Sequence, residues 1–167
     1  MPRTLHWFKW ESALTWISGM FLLIIVYYMG GLMLESGSEM SELTASLIGM
    51  GVLIFGYGAY HLLWNSPLGT NEIVASIISF ILIIALFVGL DLLFSSRAAM
   101  MHIGAAFGTI MTANVFFVII PVQKKLVAAC IERAEVSSEL GIKGYIRSRH
   151  NNYFTLPVLF TMMSIHY

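Results

Sequence analysis

From Ile73 to Leu90 the chain carries no charged residue, and this run already restricts what the protein can be. A bilayer core of roughly 30 Å is crossed by a helix of about 20 apolar residues. Comparable runs extend from about Ser12 to Leu34, from Leu43 to Trp64 and from Ala98 to Pro121. A fifth begins near Tyr153 and is still apolar at Tyr167. Lipid offers the backbone no hydrogen bonds, so only helices or closed barrels cross it. The runs are continuous rather than alternating, which selects helices. Only 11% of residues are charged, too few to coat a soluble globule, where about 25% is usual. The expectation is an all-α, polytopic transmembrane helix bundle forming one domain over residues 1–167. It has four full spans (12–34, 43–64, 73–94, 98–121) and a fifth at 153–167. The first run is too long for a signal peptide and no small-residue cleavage site follows it. The fifth is short for a crossing, so the natural chain is expected to be longer.

Lys and Arg set the orientation. Arg3 and Lys9 precede the first span, and Lys124, Lys125, Arg133, Lys143, Arg147 and Arg149 lie between the fourth and fifth. Only Arg97 falls elsewhere, while the first link carries Glu35, Glu39 and Glu42. This places the N-terminus in the cytoplasm. Residues 122–152 form a cytoplasmic amphipathic segment, with Val122, Leu126, Val127, Cys130, Ile131 and Ala134 at helical spacing. It reads as a continuation of the fourth helix or as a surface helix, broken at Gly141 and Gly144. Zero formal net charge gives no reason to expect a nucleic-acid partner, and the single cysteine, Cys130, reads as an inert thiol.

Ionisable groups in lipid are costly and each asks for a reason. Counting helical rise, Asp91, Arg97, His102 and His166 share one depth near the outer face. His6, His61 and His150 gather at the inner face beside Trp7, Trp10 and Trp64. Two imidazoles on neighbouring helices at one depth can ligate a haem iron from both sides. His102 and His166 are therefore candidate metal ligands for a haem b. His61 is a further candidate ligand for a separate inner haem. Gly104 and Gly108 form a GxxxG beside His102 that admits a flat ring or another helix. Thr109, Thr112 and Asn114 on the same helix can satisfy polar groups inside a bundle.

Plainer readings stand beside these. His102 can simply hydrogen-bond a neighbouring helix. His61, His6 and His150 can sit at the headgroups, and the tryptophans can form an aromatic belt. Asp91 can pair with Arg97. The Gly49–Gly51 and Gly56–Gly58 pairs read as packing positions. No CxxCH, phosphate-binding glycine loop or GxSxG elbow occurs, and no catalytic residue can be named.

Four segments resemble a known family: LHWFKWESALTW (Leu5–Trp16), AYHLLWNS (Ala59–Ser66), RAAMMHIGAAFGTIMTANVFFVIIPVQKK (Arg97–Lys125) and RSRHNNYFTLPVLFTMMSIHY (from Arg147). In collinear order they are similar to the bacterial membrane-bound urate hydroxylases, the urate oxidase N-terminal domain family. The resemblance implies a membrane domain of purine degradation that oxidises urate toward 5-hydroxyisourate. It also implies electron transfer to a cytochrome c, in the best-known members a C-terminal periplasmic domain, and residence in the bacterial inner membrane. In that setting Arg97 becomes an anion or haem-propionate partner, its planar fork matching carboxylates. The chain stops where the family continues with further helices. It therefore reads as a fragment of such an enzyme or as a short relative within a larger complex. The competing function is a non-catalytic transmembrane subunit of a respiratory or photosynthetic electron-transfer complex.

Overall fold

A computed structural model describes residues 3–133, 135 and 138–164. Among them the chain is all-helical. Helix α1 spans Arg3–Tyr28, α2 Glu42–Asn65, α3 Glu72–Asp91 and α4 Ser96–Glu132. These four are long and apolar enough to cross a membrane. Helix α5 follows at Ser138–Ser164.

Side-chain caps set the starts of three helices. Ser41 accepts from the Thr44 amide, Asn71 from the Ile73 and Val74 amides, and Ser95 from the Ala98 amide. Each satisfies an amide that the first turn leaves without an intrahelical partner.

Helix α4 is the centre of the bundle and packs on α1, α2, α3 and α5. Its buried face holds Ala98, Ala99, His102, Ile103, Ala106, Phe107, Ile110, Ala113 and Asn114. Small residues dominate that face, so neighbours come close. Helix α5 returns antiparallel along α4. Val122 faces Gly144, Asn151 bonds the Met111 carbonyl and Asn114, and Thr161 faces Gly104. Helix α3 buries only Ala75 and Leu90, so most of its apolar surface points outward. In water that surface would be untenable; in lipid it is the expected solvent-facing side.

The helix bounds differ from the expected spans in three places, each with a local cause. The first helix starts at Arg3 and ends at Tyr28 rather than running from 12 to 34. Its last turn, Ile24–Tyr28, is π-helical, and Gly31 then takes φ +68°, which ends the helix. The released chain tucks inward: Met33 is fully buried, and Ser95 bonds the Leu32 and Met33 carbonyls.

The fourth helix continues past Pro121 to Glu132, the first of the two readings of the basic segment. At about 1.5 Å per residue it is near 55 Å long, well beyond a bilayer core. Its π-helical turn at Val115–Ile119 precedes Pro121. The wider turn accommodates a ring that cannot donate to the preceding turn.

Gly141 and Gly144 do not break the segment, which is a correction to the expected boundary. Both lie within α5, which begins at Ser138 rather than near Tyr153. The helix ends instead at Arg133, in the left-handed region with φ 54°. Gly144 has a packing role: a Cβ there would stand 2.8 Å from Val122 Cγ1.

Candidate functional site

The polar residues inside the bundle fall into two groups. The first surrounds His102, which is fully buried on α4. Its Nδ1 lies 2.7 Å from the Ala98 carbonyl, four residues back on the same helix. A carbonyl cannot donate, so Nδ1 carries the proton and Nε2 is an acceptor. Tyr28, in the π-helical end of α1, donates its hydroxyl to that Nε2 at 3.0 Å. The Phe94 ring lies 5.4 Å from the imidazole, centroid to centroid.

Helix α2 closes the remaining side. A Cβ on Gly49 would stand 2.5 Å from His102 Nε2 and 3.0 Å from the Tyr28 oxygen. The tautomer is that of a metal-bound histidine, whose other nitrogen donates to a carbonyl. The space is not: the backbone of α2 stands against Nε2, where a metal and its porphyrin would have to lie. As packed, these residues do not fit a haem, and His102 acts as a buried hydrogen-bond link between α1 and α4.

The other expected ligands do not join this group. His166 lies outside the described residues. Arg97 is exposed, and no ion pair joins it to Asp91 among the described residues. His61 is half-buried near the far end of α2, with Tyr57 at 3.5 Å. Among the described residues no cluster of three or more His, Cys, Asp or Glu is placed to hold a metal ion. Thr161 fills the approach to Gly104, where a Cβ would come within 2.3 Å of its hydroxyl, while Gly108 faces open space. The GxxxG thus serves helix packing at its first glycine.

The second group lies at the opposite end of the bundle, where the basic residues collect. Here α2, α4 and α5 are joined by one chain of hydrogen bonds. Asn151 Nδ2 donates to the Met111 carbonyl at 2.9 Å. Asn114 Nδ2 donates both to Asn151 Oδ1 at 3.0 Å and to the Tyr60 hydroxyl at 2.9 Å. Tyr60 lies 2.8 Å from His150 Nδ1. Having accepted from Asn114, Tyr60 passes its own proton toward His150, which fixes that imidazole with its proton on Nε2. Burial first, then the nearby Arg147 and Arg149 cations, hold His150 down at about 4, so it is neutral at pH 7. Trp64 packs against it, ring centroids 4.1 Å apart.

Arg147 completes the group. It is 2% exposed, its guanidinium carbon lies 4.8 Å from the centre of the Tyr60 ring, and its Nη1 is buried without a hydrogen-bond partner. Arg149, one turn-face away, is paired with Glu72 at the start of α3.

His150, expected at the headgroups, is buried to 6% exposure in the structure. The cause is α5 beginning fifteen residues early, which carries RSRHNN into the bundle against Tyr60 and Asn114. By sequence alone Arg147 is one of the basic residues that set orientation. The available signal was the placement of RSRHNN directly before an apolar run, so that one helical face carries Arg147, His150 and Asn151 inward. Thr109, Thr112 and Asn114 behave as expected of polar groups inside a bundle: Trp16 donates to Thr109, Ser12 to Thr112, and Asn114 to Tyr60.

No curated protein and no solved structure matches the chain. The family described as urate oxidase N-terminal matches residues 1–167, the whole of it. A helical membrane bundle with a buried polar network near one end is therefore the form this sequence takes, and the chain belongs to the urate oxidase N-terminal family.

Proposed function

We propose that this chain is a membrane redox domain that oxidises urate toward 5-hydroxyisourate and delivers the electrons to a cytochrome c. In that reaction urate takes up one water and releases two protons and two electrons, the latter to the haem of the cytochrome. The reading rests on family membership over the whole chain. One structural observation supports it: a chain of hydrogen bonds from the Met111 carbonyl to His150 ends at a neutral imidazole. A passive lipid-facing scaffold has no need of such a network, because buried polar groups add little stability over apolar packing. The excess of Lys and Arg at the His150 end supports an orientation with it on the cytoplasmic side of the membrane.

The test uses vesicles containing the full chain, supplied with urate and oxidised cytochrome c. Urate-dependent reduction of two cytochromes per urate, above the rate of vesicles lacking the chain, supports the proposal. Equal rates in the two preparations refute it.

A second reading is a non-catalytic subunit of an electron-transfer complex. It draws on Gly19, Gly51, Gly58, Gly89 and Gly108, where a Cβ would meet nothing within 4 Å. These notches suit the close approach of further helices. Recovery of the chain in a stoichiometric oxidase or pigment complex, without urate turnover, favours this reading.

A further inference from the structure

Arg147 presents a physical problem that the fold does not solve by itself. A guanidinium stays charged at any physiological pH, and a buried charge without a partner costs several kcal/mol. Among the described residues the one ion pair is Arg149–Glu72, so no carboxylate neutralises Arg147. The Tyr60 ring face returns roughly 1–2 kcal/mol as a cation–π contact. The remainder calls for an anion.

Arg147 lines a cleft of about 400 Å³ between α5 and the short turn Pro67–Thr70 that joins α2 to α3. This lies within the usual range of small-molecule sites, about 300–1,000 Å³. Trp64 supplies a flat apolar wall, Asn65, Ser66 and Thr70 supply hydrogen-bonding groups, and Lys143 adds a second cation. Glu72 and Glu139 also border the cleft. Their charges oppose a multiply charged phosphate far more than a monoanion. Across Trp64 an adjoining cleft of about 290 Å³ reaches His150 and shares Trp64 and Glu72 with the first.

We propose that this cleft binds a planar, singly charged heterocycle of the urate class, with Arg147 as its charge partner and Trp64 as its stacking wall. The proposal rests on the urate reading above and names where the substrate sits. A guanidinium is weakly hydrated, planar and forked, which suits a flat anion whose charge is spread over several oxygen and nitrogen atoms. Arg147 is a binding residue here. The hydrogen-bonded Tyr60–His150 pair lies beyond Trp64, with His150 on the adjoining cleft.

The test uses the full chain in phosphatidylcholine nanodiscs, with urate binding read by equilibrium dialysis and by the shift in unfolding temperature. Urate is expected to bind the wild type and raise its unfolding temperature. Arg147→Gln should weaken binding at least tenfold, Arg147→Lys less, and the exposed Lys125→Gln not at all. Hypoxanthine, a neutral purine, should bind the wild type at least tenfold more weakly than urate. That comparison carries the test if the Arg147 variants fail to fold.

Equal urate affinity in folded Arg147→Gln, with urate oxidation retained, overturns the site and leaves the urate reading standing. Equal affinity of the wild type for hypoxanthine and urate overturns it likewise. If phosphatidylglycerol rather than urate stabilises the wild type through Arg147, the cleft is a lipid headgroup site and the proposal falls. A wild type that neither binds nor oxidises urate removes both readings together.

Discussion

Replacing Gly49 by alanine puts a methyl group where the structure already holds two polar atoms. The new Cβ would lie 2.5 Å from His102 Nε2, 3.0 Å from the Tyr28 hydroxyl and 3.1 Å from His102 Cδ2. The imidazole cannot swing away freely, because its Nδ1 is held by the Ala98 carbonyl at 2.7 Å. Either α2 moves off α4 or the Tyr28–His102 bond opens. Overpacking of this kind costs about 1–3 kcal/mol. Opening the bond leaves a buried acceptor unsatisfied, at about 1–3 kcal/mol more. Against this, alanine gains up to about 1 kcal/mol over glycine within a helix. The net expectation for Gly49→Ala in the wild type is a loss of roughly 1–5 kcal/mol. In a His102→Ala background nothing remains for the methyl group to strike except the Tyr28 oxygen. The same substitution should there be neutral or stabilise by up to about 1 kcal/mol. The coupling between the two sites is thus roughly 1–6 kcal/mol. Reversible unfolding in mixed detergent micelles, carried out on the four variants of the cycle, measures it. An equal cost of Gly49→Ala in both backgrounds would refute the picture of Gly49 as the space into which His102 and Tyr28 fit.

Four further outcomes follow from the structure. Gly104→Ala, whose Cβ would meet the Thr161 hydroxyl at 2.3 Å, should lose about 1–3 kcal/mol. Gly108→Ala, with nothing within 4 Å, should be neutral or slightly stabilising in the same unfolding assay. Asn114→Leu strips the donors from the Tyr60 hydroxyl and Asn151 Oδ1 and should cost roughly 2–4 kcal/mol; an unchanged midpoint would show that the network is not formed. His150 gives a pH dependence. Its native pKa of about 4 lies below the ordinary 6.5, so the unfolded chain binds the proton first. Its contribution is full above about pH 6.5 and is lost as the pH falls toward 4. The unfolding temperature should therefore drop between pH 7.5 and 5 in the wild type and drop less in His150→Gln; parallel curves would contradict the assignment.

The membrane fold was legible because its cause is local. A run such as Ile73–Leu90 has no charge to hydrate, and each helix in lipid must satisfy its own backbone. The central place of α4 was partly legible too, since Ala98, Ala99, Gly104, Ala105 and Ala106 leave room for neighbours, and its polar Thr109, Thr112 and Asn114 need partners. The helix bounds were less so. Arg133 rather than a glycine takes the left-handed turn, and Gly144 serves Val122 across a helix pair. Glycine in a membrane helix is as often a contact surface as a breaker, and composition does not separate the two.

The site was harder to read, for a related reason. Depth along a span is a sum over one helix; it says how far His102 lies from the end of α4, not that its side chain is buried. What a buried imidazole does depends on its two nitrogens, and their partners come from Ala98 on its own helix and Tyr28 on another. Arg147 shows the same dependence in the opposite direction. Counted with Lys143 and Arg149 it is one more basic residue that fixes orientation. What sets it apart is that Gly144 lets α5 close on Val122, and the turn that follows carries the guanidinium under Tyr60 while Arg149 reaches Glu72. Two arginines separated by one residue thus take different electrostatic fates: one is neutralised at the surface, and the other, against the Tyr60 ring beside a cleft, has no carboxylate partner among the described residues. A charge is expelled from a bundle or matched within it. An arginine kept inside without a match is therefore the place where a ligand, rather than the fold, supplies the balance.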